Sequence, residues 1–137
     1  MKIFLGVALI VLGLAISIFP FFTDCQSQGN FLTTSTGKEV AMKCHWAGAA
    51  EIATGVPLLA LGVIMVATRR KSDLFYLGIV GVILGAFAIM IPNNLIGVCQ
   101  TPTMICHTVM NPSLTIFGSL AIACGLGAMV LARKSKD

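Results

Sequence analysis

LGVALIVLGLAISIFP, Leu5–Pro20, returns 72 residues later as LGIVGVILGAFAIMIP, Leu77–Pro92. Leu5/Leu77, Gly6/Gly78, Leu12/Leu84, Gly13/Gly85 and Pro20/Pro92 coincide. Each copy is an almost charge-free apolar run close to the roughly 20 residues that a helix needs to cross a hydrocarbon core. The duplication extends beyond these runs. Cys25-Gln26 corresponds to Cys99-Gln100, and Met42-Lys43-Cys44-His45 to Met104-Ile105-Cys106-His107. A second pair of apolar segments then aligns at an offset of 63 through Gly55/Gly118, Gly62/Gly125, Arg70/Arg133 and Lys71/Lys134. Self-similarity of this kind marks a repeated structural unit.

Four spans follow: Ile3–Phe22, Ile52–Thr68, Leu74–Pro92 and Leu114–Ala132. The chain of 137 residues is 57% hydrophobic and 10% charged, far below the charged fraction of a soluble domain. The expected fold is all-α, an integral membrane four-helix bundle built from two tandem parallel helical hairpins. It forms one domain over 1–137, with hairpin repeats at 1–71 and 72–137. Lys2 before an apolar run resembles a signal peptide, but SIFPFFTD offers no small-x-small cleavage site, so the first helix is expected to be retained. The two repeats enter the membrane from the same side and are expected to be related by an axis along its normal.

All four segments carry Gly-x6-Gly: Gly6/Gly13, Gly55/Gly62, Gly78/Gly85 and Gly118/Gly125. Seven residues are close to two helical turns, so each pair lies on one face. In lipid, small residues let helix backbones approach closely, and this spacing predicts the packing seams. Pro20 and Pro92 are expected to end their helices, and Pro57 to kink the second helix.

The net charge is +4. Lys2, Arg69, Arg70, Lys71, Arg133, Lys134 and Lys136 flank the spans on one side, and only Lys38 and Lys43 lie on the other. The positive-inside rule then puts the protein in the cell membrane with both termini cytoplasmic. The loops 23–44 and 93–112 face the extracellular or periplasmic side. The basic residues are thus a topology signal, and no nucleic-acid partner is expected.

The chemistry is concentrated in those loops. Cys25, Cys44, Cys99 and Cys106 form an even set on an oxidising face, which reads as disulfides. The repeat favours Cys25–Cys44 and Cys99–Cys106, one staple per hairpin. An alternative reading is a soft-metal site, copper or zinc, or a haem site, drawing on Met42, Cys44, His45, Met104, Cys106 and His107. A third is thiol–disulfide exchange, although no Cys-x-x-Cys is present. Gln26–Lys38 is a polar loop insertion. Trp46 reads as an interfacial anchor. Glu51 is placed in the first turn of the second helix, where a carboxylate suits the helix dipole but a charge near the membrane interior is also often functional. His45 and His107 read first as interfacial hydrogen-bonding residues, and Cys124 as a small apolar residue. No catalytic constellation is visible, so an enzyme is not the expected reading.

Met42-Lys43-Cys44-His45-Trp46, Ala50-Glu51, and Ile96-Gly97-Val98-Cys99 with Met104-x-Cys106 carry a resemblance over nearly the whole chain. It resembles the bacterial and archaeal family catalogued as domain of unknown function 4418. In that family the position of His107 is often arginine, which speaks against a symmetric two-histidine metal site. The resemblance implies a four-helix membrane protein with no established activity. Related genes lying near ABC-transporter permeases of the MacB/FtsX type imply an accessory subunit of a permease complex. The expected function is a non-enzymatic accessory or interaction protein with stapled outer loops, with the bilayer, such a permease and further copies of the chain as partners.

Overall fold

A computed structural model describes residues 1–29 and 31–134; Lys136, counted among the basic flanks, lies outside them. Four helices run through it: α1 Lys2–Thr23, α2 Lys43–Ala67, α3 Lys71–Met90 and α4 Asn111–Lys134. Each, taken with the π-helical turn joined to α3 or to α4, is long and apolar enough to cross a membrane. A short antiparallel ribbon, β1 Leu32–Thr33 and β2 Glu39–Val40, pairs Leu32 with Val40 and Thr33 with Glu39. It lies within and just beyond the stretch read from sequence as a plain polar loop. Gly37 closes its turn in the left-handed region, at φ +78°.

The distribution of side chains suits lipid. In α1 the buried face is Gly6, Leu9, Leu12, Gly13, Ile16 and Pro20, whereas Ile3, Phe4, Val7, Val11, Ile18, Phe21 and Phe22 are exposed. Glycine and proline thus share the interior with Leu9, Leu12 and Ile16, and the outer face is bulky and apolar as well, as expected where the surrounding solvent is itself apolar.

Packing is strongest between α1 and α2 and between α3 and α4, so each hairpin is a unit. The glycine seams explain why. A Cβ on Gly62 would stand 2.8 Å from the Gly6 carbonyl, and one on Gly13 would stand 2.9 Å from that of Gly55. The second hairpin repeats this with Gly125 at 2.8 Å from the Gly78 carbonyl and Gly85 at 2.9 Å from that of Gly118. Backbones meet where a methyl group would not fit. Between hairpins, α1 packs on α4 and α2 on α3, and Phe19 meets Phe117 edge-on at 5.7 Å. At the basic end, Lys2 Nζ donates to the Thr68 carbonyl at 2.7 Å, satisfying a group at the C-terminus of α2.

Several boundaries differ from the sequence expectation. Helix α2 begins at Lys43, nine residues before the apolar run, because the segment is rich in alanine and propagates the helix through its polar first turns. Glu51 consequently sits in the third turn. Helix α1 runs one turn past Pro20, with the Asp24 N–H bonded to the Pro20 carbonyl at 2.9 Å. Helix α3 gives way to a π-helical turn, Ile91–Leu95, that includes Pro92, and a second π-helical turn, Cys106–Met110, leads into α4. Helix α2 continues unbroken through Pro57.

Candidate metal centre

The loop end of the bundle brings the four repeat cysteines to one point. The Sγ atoms of Cys25, Cys44, Cys99 and Cys106 all lie within 4.8 Å of one another. The separations are 3.0 Å for Cys25–Cys106, 3.6 Å for Cys44–Cys99 and 4.0 Å for Cys25–Cys99. Two thioethers adjoin them. Met104 Sδ is 4.0 Å from Cys25 Sγ, and Met42 Sδ is 4.0 Å from Cys99 Sγ. Cys25, Cys44 and Cys106 are buried, while Cys99, Met42 and Met104 are half-buried.

Each cysteine arrives by a different local device. Cys25 follows the last turn of α1, where Asp24 accepts from the Ser27 N–H through Oδ1 at 2.6 Å and anchors the chain reversal. Cys44 is in the first turn of α2, directly after Met42 caps that helix in extended conformation. Seven residues separate Pro92 from Cys99 where five separate Pro20 from Cys25. The π-helical turn Ile91–Leu95 and Gly97, at φ +78°, take up the extra length. Both Ile96 and Gly97 donate their N–H to the Ile91 carbonyl, at 3.0 and 3.1 Å. Likewise, Cys106 lies twelve residues before Gly118, but Cys44 lies eleven before Gly55. The π-helical turn Cys106–Met110 absorbs that single residue and returns Cys106 to the inward face. Such turns are inserted residues within helices and recur at functional sites.

The metal set read from sequence is thus regrouped. Met42, Cys44, Met104 and Cys106 are brought together, and Cys25 and Cys99 join them. The two histidines stand outside. His45 Nδ1 is paired with Asp24 Oδ2 at 3.1 Å, tying the start of α2 to the end of α1 beside the sulfurs. His107 is exposed. The residue matching Asp24 in the second repeat is Val98, so His107 lacks the equivalent acid. Trp46 is exposed at the helix end and meets His45 edge-on at 5.9 Å, as an interfacial anchor would.

Glu51 is the other unusual group. It is fully buried, on the same face of α2 as Cys44 and two turns, about 10 Å, deeper. Neither of its carboxylate oxygens has a hydrogen-bond partner among the described residues. A cavity of about 380 Å³ lies at the basic end, remote from all of this, lined by Lys71, Phe75, Tyr76 and Arg133 among others.

For a metal–sulfur bond of about 2.3 Å, sulfurs around one ion stand about 3.8 Å apart in a tetrahedron and about 4 Å apart in a trigonal plane. The observed separations bracket these values, so the cluster fits a thiophilic ion with small side-chain adjustments. Burial, reinforced by the neighbouring Cys44 and Cys106 thiols, pushes the Cys25 thiol well above its ordinary range. That is the reverse of the activated thiolate an exchange enzyme uses.

A family model described as Domain of unknown function (DUF4418) matches residues 2–131. No curated protein and no solved structure matches the chain.

Proposed function

Because the chain belongs to the DUF4418 family, whose description assigns no activity, we propose a function from the site itself: a membrane protein that binds a soft metal ion, copper(I) or zinc(II), between its two hairpins. The observation carrying this reading is that four sulfurs from four separate chain segments converge within 4.8 Å. Thiolate-rich sites select such metals. The four Sγ atoms lie within 4.8 Å of one another, the size of one ion's donor shell, which favours a bare ion over haem. The charge asymmetry supports placing the site on the outer face of the cell membrane, with both termini cytoplasmic.

Elemental analysis and thiol counting on detergent-purified protein test this. Stoichiometric metal, with five free thiols after chelation and denaturation, is the expected result. A single free thiol, Cys124, and no metal in protein prepared without reductant would overturn it.

That opposite result would support a second reading, in which two disulfides lock the bundle of an accessory subunit serving an ABC-type permease. Its structural support is the near approach of Cys25 to Cys106 and of Cys44 to Cys99, which favours links between hairpins over links within them. Recovery of a permease with the protein from native membranes tests the partnership.

A further inference from the structure

The sulfur cluster is uneven: its two shortest separations each join a cysteine of one repeat to a cysteine of the other, while Cys25 and Cys99 stand 4.0 Å apart between them. Cys25 of the first hairpin lies 3.0 Å from Cys106 and 4.0 Å from Met104, both of the second. Cys99 of the second hairpin lies 3.6 Å from Cys44 and 4.0 Å from Met42, both of the first. Met42 matches Met104, Cys44 matches Cys106, and Cys25 matches Cys99 in the duplication. Each repeat therefore lends its first cysteine to the Met-x-Cys pair of the other.

From this reciprocity we infer that the cluster is two three-sulfur sites related by the repeat, Cys25/Met104/Cys106 and Cys99/Met42/Cys44, each binding one copper(I) ion. The inference rests on the soft-metal reading and sharpens it to a metal, a stoichiometry and a donor set. Zinc draws on thiolate, imidazole and carboxylate donors, and a thioether adds little to its site. Thioethers beside thiolates select copper(I). The half-buried methionines and Cys99 form the part of the cluster that solvent reaches, whereas Cys25, Cys44 and Cys106 lie behind them. An incoming ion thus meets a methionine sulfur before the buried thiols. Copper enters already as copper(I), so no electron is transferred, and each ligating thiol releases its proton to solvent.

The test uses the reduced full-length protein in detergent, without oxygen, titrated with copper(I) against a chromophoric chelator and separately with cadmium(II). Two copper(I) ions per chain are expected, with X-ray absorption showing three sulfur neighbours for each. The double variant Met42→Leu with Met104→Leu nearly preserves volume. It should bind copper(I) about tenfold more weakly or worse, equivalent to about 1.4 kcal/mol, with unchanged cadmium(II) affinity. One copper(I) in a four-sulfur environment, or a copper(I) affinity indifferent to both methionines, would overturn the division while leaving the soft-metal reading intact. Binding of neither metal by the wild-type protein would remove both. The wild-type stoichiometry and spectrum need no variant, so a variant that fails to fold leaves the inference open to refutation.

Discussion

Glu51 of α2 and Leu114 of α4 occupy equivalent positions in the two repeats, and both are fully excluded from solvent. One is a carboxyl group with no hydrogen-bond partner for either oxygen among the described residues; the other is an aliphatic side chain packed in the core. The same place in the same architecture is therefore filled well by leucine, and glutamate there is not a requirement of the fold.

Replacing a buried, unpartnered polar group by a well-packed apolar one of similar volume is stabilising. Glu51→Leu should accordingly raise stability by about 1–3 kcal/mol, seen as a higher midpoint of thermal unfolding in detergent. A lower midpoint would show that Glu51 is held by interactions the fold needs.

The glycine seams should be unequal in their tolerance of a methyl group. A Cβ on Gly62 would press on the Gly6 carbonyl and on Ile10, both at 2.8 Å, whereas one on Gly81 finds its nearest neighbour at 3.6 Å. Gly62→Ala should cost about 1–3 kcal/mol through overpacking. Gly81→Ala should be neutral or stabilising by up to about 1 kcal/mol, since alanine has the better helix propensity. Equal effects of the two, in parallel unfolding measurements, would contradict the close approach of α1 and α2.

Oxidation should join the hairpins to each other. The separations Cys25–Cys106 and Cys44–Cys99 predict cross-links between repeats when the metal-free protein is treated with a mild oxidant. Trypsin cleavage in the basic turn Arg69–Lys71 would then leave the two halves joined on a non-reducing gel and separated on a reducing one. Halves that part without reductant would instead indicate the pairing within hairpins, Cys25–Cys44 and Cys99–Cys106, expected from the repeat.

The raised Cys25 thiol has a consequence for pH. A thiol that deprotonates later in the folded protein than in the unfolded chain stabilises the fold below the ordinary value of 9.0, and that contribution is lost as pH rises past it. The metal-free protein should therefore unfold at progressively lower temperature above about pH 9. Metal-loaded protein, whose thiols are already deprotonated and ligated, should be less sensitive over the same range. Parallel slopes for the two forms would place Cys25 outside the metal site.

Much of the architecture could be read in one dimension. Apolar runs of membrane-spanning length, the Leu5–Pro20 and Leu77–Pro92 duplication and the Gly-x6-Gly spacing are periodic or contour properties, and α1 to α4 with their glycine seams follow them. The helix start at Lys43 escaped that reading because hydropathy registers lipid-facing length, while backbone hydrogen bonding continues through the polar residues Lys43-Cys44-His45-Trp46. The two π-helical turns escaped because one inserted residue leaves no periodic signature.

The sequence by itself determined that sulfur donors would gather at one end of a four-helix membrane bundle, since lipid forces each apolar run to cross and each loop to return to one of two faces. Only the tertiary structure decided which donors meet. Docking of the hairpins crosses the repeats, setting Cys25 against Cys106 and Cys99 against Cys44, while packing within the first hairpin turns His45 toward Asp24, and His107 is left exposed. Separation along the chain limits how far apart two side chains can be; which of them touch is set by the packing of one helix pair on the other.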